Sequence, residues 1–191
     1  MSAGSIIVLA FLAFVAITIF KGVRIVPQGY KWIVQRLGKY HTTLGPGLNF
    51  VIPYIDEVAY KVTTKDIVLD IPSQEVISRD NAVLLMNAVA YINLTTPEKA
   101  VYGIENYTWA IQNMVQTSLR SIVGEMDLDD ALSSRDHIKA KLKAAISDDI
   151  ADWGITLKTV EIQDIKPSHT MQTAMEEQAA AERQRRATVT K

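Results

Sequence analysis

The sequence predicts an α+β chain. It has one membrane-spanning helix at its N-terminus, a mostly antiparallel sheet with packed helices, and the start of an Ala/Glu/Arg-rich coiled-coil helix. Three observations predict this order. Residues 1–20 carry no charged side chain. The stretch 23–94 is rich in β-branched and aromatic residues and is punctuated by Gly, Pro and Asn. Beyond Thr96, apolar residues recur at three- and four-residue spacing, the signature of helices buried on one face.

The N-terminal segment decides the solvent. Ile6, Ile7, Val8, Leu9, Phe11, Leu12, Phe14, Val15, Ile17, Ile19 and Phe20 leave no wet face. About 18 helical residues at roughly 1.5 Å each span about 27 Å, close to the hydrocarbon thickness of a bilayer. A cleaved signal peptide places its basic residues before the apolar run and small residues at the cut site. Here Lys21, Arg24, Lys31, Arg36 and Lys39 follow the run, and Ile19-Phe20-Lys21 is a poor cleavage context. A buried core helix is normally shorter or amphipathic. The segment therefore reads as a single-pass anchor. The positive-inside rule sets the N-terminus outside and the remainder in the cytoplasm, at the inner (plasma) membrane.

Strands follow the anchor. Tyr30 to Leu37 is aromatic and β-branched, and Gly45-Pro46-Gly47 is a turn. Residues 48–55 are strongly apolar but interrupted by Pro53. Ile67 to Ile71 and Gln74 to Ile77 read as two strands separated by Pro72, and Asp80-Asn81 as a hairpin turn leading to the run Ala82 to Leu94.

Helices come next. Thr96-Pro97-Glu98 opens one over Pro97 to Tyr102, with Thr as N-cap and Pro at the first position. A second covers Tyr107 to Val123 with the stripe Ile111, Val115, Leu119, Ile122, and Gly124 ends it. Asp127 is read as the cap of a short helix over Leu128 to Leu132. Ser134 is read as the cap of another over Arg135 to Asp152, with the stripe Ile138, Leu142, Ala145, Ile146, Ile150. Ile155 to Ile165 is a strand with Ile155, Leu157, Val160 and Ile162 available for a core. Ser168 caps a last helix from His169 onward.

Composition excludes several functions. The chain of 191 residues has no cysteine and a formal net charge of −1. Thiol chemistry, disulfides and thiolate metal sites are therefore absent, and no basic patch suits nucleic acid. His41, His137 and His169 lie far apart without ligand spacing, so no metal or other cofactor is expected. Asp129-Asp130 and Asp148-Asp149 are helix neighbours on different faces, not paired carboxylates. A hydrolase built on Ser133, Ser134, His137 and Lys139 is the enzymatic alternative, but these residues share one helix start and lack a nucleophile elbow.

Two segments are candidate sites. Leu48, Phe50, Val51, Ile52 and Tyr54 are either sheet core or a loop touching the bilayer surface, where aromatic and apolar side chains collect. Met171, Ala174, Met175, Gln178, Ala179, Glu182 and Arg186 run down one side of the last helix. A lone helix of that size is marginal in water, so packing between subunits is expected there.

Five motifs, in order, resemble one family. They are Val26-Pro27-Gln28-Gly29-Tyr30, the run Gly45-Pro46-Gly47-Leu48-Asn49-Phe50-Val51-Ile52-Pro53, the run from Asp70-Ile71-Pro72-Ser73 to Asp80-Asn81, Trp153-Gly154-Ile155, and Ala181-Glu182-Arg183-Gln184-Arg185-Arg186-Ala187. The chain resembles the stomatin, prohibitin, flotillin and HflK/HflC superfamily, called SPFH or band 7, most closely its bacterial stomatin-like branch, which includes QmcA. The resemblance implies an anchor over 1–22, a β-rich membrane-proximal SPFH subdomain over 23–95, an α+β subdomain over 96–167 and the start of a coiled coil over 168–191. It further implies homo-oligomeric rings or cages that organise a membrane microdomain and modulate membrane-protein quality control. It implies lipid and an FtsH-type membrane protease or NfeD-like protein as partners, and no catalytic residues. Relatives continue past the position of Lys191, so a truncated or shortened member is expected. The rival reading is a tethered adaptor that recruits one partner.

Overall fold

A computed structural model describes residues 3–189. The elements are α1 (Ala3–Gly22), β1 (Val23–Val26), β2 (Tyr30–Arg36), β3 (Lys39–Leu44), β4 (Gly47–Phe50), β5 (Asp56–Thr63), β6 (Ile67–Ile77) and β7 (Val83–Leu94). They continue with α2 (Pro97–Gly103), α3 (Tyr107–Gly124), α4 (Leu128–Ser133), α5 (Arg135–Ala151), β8 (Ile155–Pro167) and α6 (His169–Val189). Two compact units result, one over 1–65 and 94–105, the other over 66–93 and 106–191.

In the first unit β2 is the middle of an antiparallel sheet ordered β3-β2-β5, and β1 pairs with β4 as a separate ribbon. Neighbouring Ile33 and Val34 are both buried, and the register of β2 with β5 shifts between them. Val26, Val34, Leu44 and Val51 form the core, with Trp32 and Val58 against it. Helix α2 packs on β2, and Gln35 Nε2 donates to Tyr102 Oη at 2.8 Å.

In the second unit the sheet order is β6-β7-β8. The end of β8 lies beside the start of β7, where Ser168 N donates to Val83 O at 2.9 Å. Alternate residues of β7 (Leu84, Met86, Ala88, Ala90, Ile92) are buried, as the period-two geometry of a strand dictates. Helices α3 and α5 cover this sheet, α3 over β6 and α5 over β8. Their stripes Ile111, Val115, Leu119, Ile122 and Ile138, Leu142, Ile146, Ile150 are buried.

The structure differs from the sequence reading in several places. No strand break occurs at Pro72. β6 runs uninterrupted from Ile67 to Ile77 at the sheet edge, and a register shift between Ile71 and Gln74 absorbs the missing N–H. Ala145 is exposed and does not belong to the α5 stripe. Asp127 sits at the N-cap of α4 but makes no capping bond; its carboxylate is held by Arg79, and the Leu128 N–H donates instead to Asp80 at 3.2 and 3.3 Å. Thr96 and Ser134 likewise occupy N-cap positions without a side-chain capping bond. The compact units also divide elsewhere than at Thr95-Thr96. The β6–β7 hairpin lies with the helices, because α3 grips β6: Gln112 Nε2 donates to Asp70 O at 2.9 Å and Gln74 Nε2 to Gln116 O at 3.1 Å.

Candidate functional site

Helix α1 is exposed along its whole apolar length. Its one hydroxyl in the second half is neutralised internally, since Thr18 Oγ1 donates to Phe14 O at 2.8 Å. All eleven anchor residues named from the sequence are exposed. A core helix would bury a face, and this one buries none of its apolar residues. Among the described residues α1 is the single helix long and apolar enough to cross a membrane.

Gly22 ends α1 and Val23 begins β1, with no linker between them. The junction is clamped by Val51 N, which donates to Gly22 O at 2.8 Å. Gly22 is required there by close approach. A Cβ on it would lie 2.6 Å from Phe50 Cε2 and 2.7 Å from Val51 O.

The pairing of β1 with β4 sets Val23 opposite Phe50 and Ile25 opposite Leu48. Residues directly opposite in an antiparallel pair share a face, as do residues two apart along a strand. These four side chains therefore form one apolar face. It is open to solvent: Ile25 is 70% exposed, Leu48 76% and Phe50 59%. Ile52 and Tyr54, which follow β4, are also exposed. Tyr54 is held in the left-handed region at φ 79°, uncommon for a bulky residue, and Lys21 Nζ lies 5.9 Å from its ring centroid.

That strained turn is fixed by Asp56. Its carboxylate accepts from Arg36 Nε at 2.7 Å, from Arg36 Nη2 at 3.0 Å and from Ile52 N at 2.9 Å. The Arg36 guanidinium beside it holds the Asp56 carboxyl down at about 2.

Of the five residues expected in an interface loop, Leu48 and Phe50 stand on the β1–β4 face, and Ile52 and Tyr54 are exposed. Val51 is 5% exposed and belongs to the core with Val26, Val34 and Leu44, because its position in the chain turns it inward between Phe50 and Ile52. Sequence reasoning missed Val23 and Ile25. Their alternation with Arg24 was the available signal, but only the register with β4 shows which face they join.

The other candidate site lies on α6. Met171 is half-buried, Met175, Gln178, Ala179, Glu182 and Arg186 are exposed, and Arg186 Nη2 donates to Glu182 Oε1 at 2.7 Å. Ser168 Oγ accepts from Met171 N at 3.4 Å, the cap read from the sequence.

The hydrolase residues make no catalytic arrangement. Ser133 Oγ donates back to Asp129 O at 2.7 Å, and Lys139 Nζ is paired with Glu161 at 2.5 Å. Among the described residues no group of three or more His, Asp or Glu side chains could hold a metal ion.

The profile of the SPFH domain / Band 7 family matches residues 24–191. The chain belongs to this family. A stomatin homolog of Pyrococcus abyssi is 41% identical over 179 residues, 94% of this chain and 66% of its own. Stomatin-like protein 2, mitochondrial, of Homo sapiens is 37% identical over 164 residues, 86% of this chain and 46% of its own. An uncharacterised protein of Mycobacterium tuberculosis is 35% identical over 187 residues, 98% of this chain and 49% of its own. The chain therefore spans about half the length of the mycobacterial and human relatives it matches. SPFH proteins are generally scaffolds rather than enzymes, and membership suggests a membrane-associated scaffold. The lipid-compatible α1 fits a membrane anchor in such a protein.

Proposed function

We propose that this SPFH protein is a single-pass membrane scaffold whose copies assemble side by side into rings or cages, enclosing a patch of bilayer and its resident proteins. The observation that carries the reading is the continuous apolar surface from α1 into the face of Val23, Ile25, Leu48 and Phe50, fused without a linker at Gly22. A helix alone would be a tether. A helix joined to an apolar ribbon seats the domain on the bilayer. The bases that follow Phe20 support a domain on the cytoplasmic side of the inner membrane by the positive-inside rule. Assembly would use α6, whose small, exposed residues leave room for a neighbouring helix. Closed rings remove free edges and let weak identical contacts add. Capture and exclusion by the ring would then regulate membrane proteolysis, with an FtsH-type protease or an NfeD-like protein as partner.

Particle size tests this directly. The chain, extended by whatever coiled coil its gene encodes, is solubilised in mild detergent and measured by light scattering and electron microscopy. Closed particles of many copies are expected. A strictly monomeric or dimeric protein would favour the tethered adaptor.

A further inference from the structure

The foot of α1 opens into a concavity of about 540 Å³ whose walls include Phe20, Lys21, Arg24, Pro53, Tyr54 and Asp56. That volume lies within the range of roughly 300–1,000 Å³ typical of small-molecule sites. Its charges are unbalanced. Among the described residues neither Lys21 nor Arg24 forms an ion pair. The acid in the wall, Asp56, is already satisfied by both guanidinium contacts from Arg36 and by Ile52 N. Arg24 also borders a neighbouring cleft lined by Asp56, Glu57 and Lys61, where Lys61 Nζ lies over the Trp32 ring at 4.6 Å. Within its own lining the site therefore presents two cations, an aromatic ring and a backbone fixed by a strained turn, with Asp56, already bonded to Arg36, as the acid among those residues.

The depth of the site names the anion. Lys21 is the first charge after the apolar run, and Phe20 and Tyr54, both exposed, flank it. A lysine and aromatic rings at the end of a spanning helix sit at headgroup level. The concavity therefore lies where phospholipid phosphates are most concentrated, and a cation near an anionic leaflet strengthens binding by a factor of roughly five.

We propose that this concavity binds the phosphate of an anionic phospholipid, with Lys21 and Arg24 contacting the phosphate and Phe20 and Tyr54 packing beside its glycerol. The proposal rests on the reading of α1 as a spanning anchor. It deepens that reading from attachment to a bilayer to selection of lipids within it, so that an assembled ring would carry a shell enriched in anionic lipid.

The test uses the full chain in phosphatidylcholine bilayers carrying a trace of spin-labelled phosphatidylglycerol or spin-labelled phosphatidylcholine. Electron paramagnetic resonance reads the motionally restricted fraction of each label. The expected result is an association constant for phosphatidylglycerol roughly ten-fold above that for phosphatidylcholine, two cations at about five-fold each being the ceiling. Lys21→Gln with Arg24→Gln brings the ratio close to one. Lys31→Gln with Lys39→Gln removes the same formal charge outside the site and leaves most of the preference. Equal restriction of both labels by the unsubstituted chain overturns the proposal, as does equal loss in the two double variants. Preference abolished by inorganic phosphate, but not by chloride at matched ionic strength, would assign the site to a soluble phosphate and overturn the lipid. Alkaline carbonate extraction separates the two readings. A chain that resists extraction but shows no lipid preference keeps its anchor and loses this site, whereas a chain that is extracted loses both.

Discussion

Ile25 and Leu48 face each other across the β1–β4 pair, and both stand in solvent. A cross-strand pair of large aliphatic side chains normally marks the buried side of a sheet. Here it marks a side left exposed among the described residues.

The first prediction concerns that pair. A chain starting at Lys21 and carrying Ile25→Asp and Leu48→Asp should keep its circular dichroism but lose vesicle binding in a sedimentation assay. Burying an aliphatic side chain contributes about 1.5–3 kcal/mol, so the lower figure for two residues corresponds to roughly a hundred-fold loss. Unchanged sedimentation of a folded double variant would remove the ribbon from the membrane contact.

Gly22→Ala should destabilise the junction. The new methyl group would press on the Phe50 ring and on Val51 O, and the latter is backbone that cannot turn aside. Overpacking of this kind costs about 1–3 kcal/mol. Hydrogen exchange should quicken at the Val51 amide, whose bond to Gly22 O would be strained.

Acid should loosen the turn that holds Tyr54. Asp56 titrates at about 2 in the fold, against 3.8 in the free side chain. A depressed carboxyl pKa gives stability that is complete above the unfolded value and is lost as pH falls through the folded one. The protection factor of the Ile52 amide, its exchange rate corrected for the intrinsic pH dependence, should therefore fall between about pH 4 and pH 2. In Asp56→Asn the same amide should be faster throughout and show no titration in that window.

The α5 stripe separates two adjacent residues. Ile146→Ala empties a fully buried position and should cost about 2–5 kcal/mol in denaturant unfolding. Ala145→Glu, on the exposed side, should stay within about 0.5 kcal/mol.

Gln178→Cys probes α6 without background, since the chain has no other thiol. Mild oxidation of the membrane-embedded protein should yield disulfide-linked dimers at this position. A variant that stays monomeric on non-reducing gels would move the subunit contact off this helix.

Local signals in the sequence located most elements. The stripes of α3 and α5, the Asp80-Asn81 hairpin and the Ser168 cap are written in neighbouring residues, and the structure repeats them, with Ala145 the one exception. What was not legible depended on distant partners. Pro72 reads as a break until the edge position of β6 and its bulge are known. Asp127 reads as a cap until Arg79 claims its carboxylate and Asp80 takes over the Leu128 amide. Asn106 was overlooked as a cap, although its Oδ1 accepts from Trp109 N at 3.1 Å. At the candidate site the apolar run 48–55 was visible, but composition cannot tell Val51, turned to the core, from Phe50 beside it. Val23 and Ile25 joined the surface only through their register with β4.

The missing linker at Gly22 has a dynamic corollary. A flexible leash would let each copy tumble beneath the bilayer, and every encounter between copies would have to find its own mutual alignment. If copies assemble in the bilayer as proposed, a helix and ribbon joined end to end surrender tumbling once, at insertion. Afterwards copies differ only in lateral position and in rotation about the membrane normal. Their search for one another becomes planar, and much of the orientational entropy that association would otherwise cost is already spent.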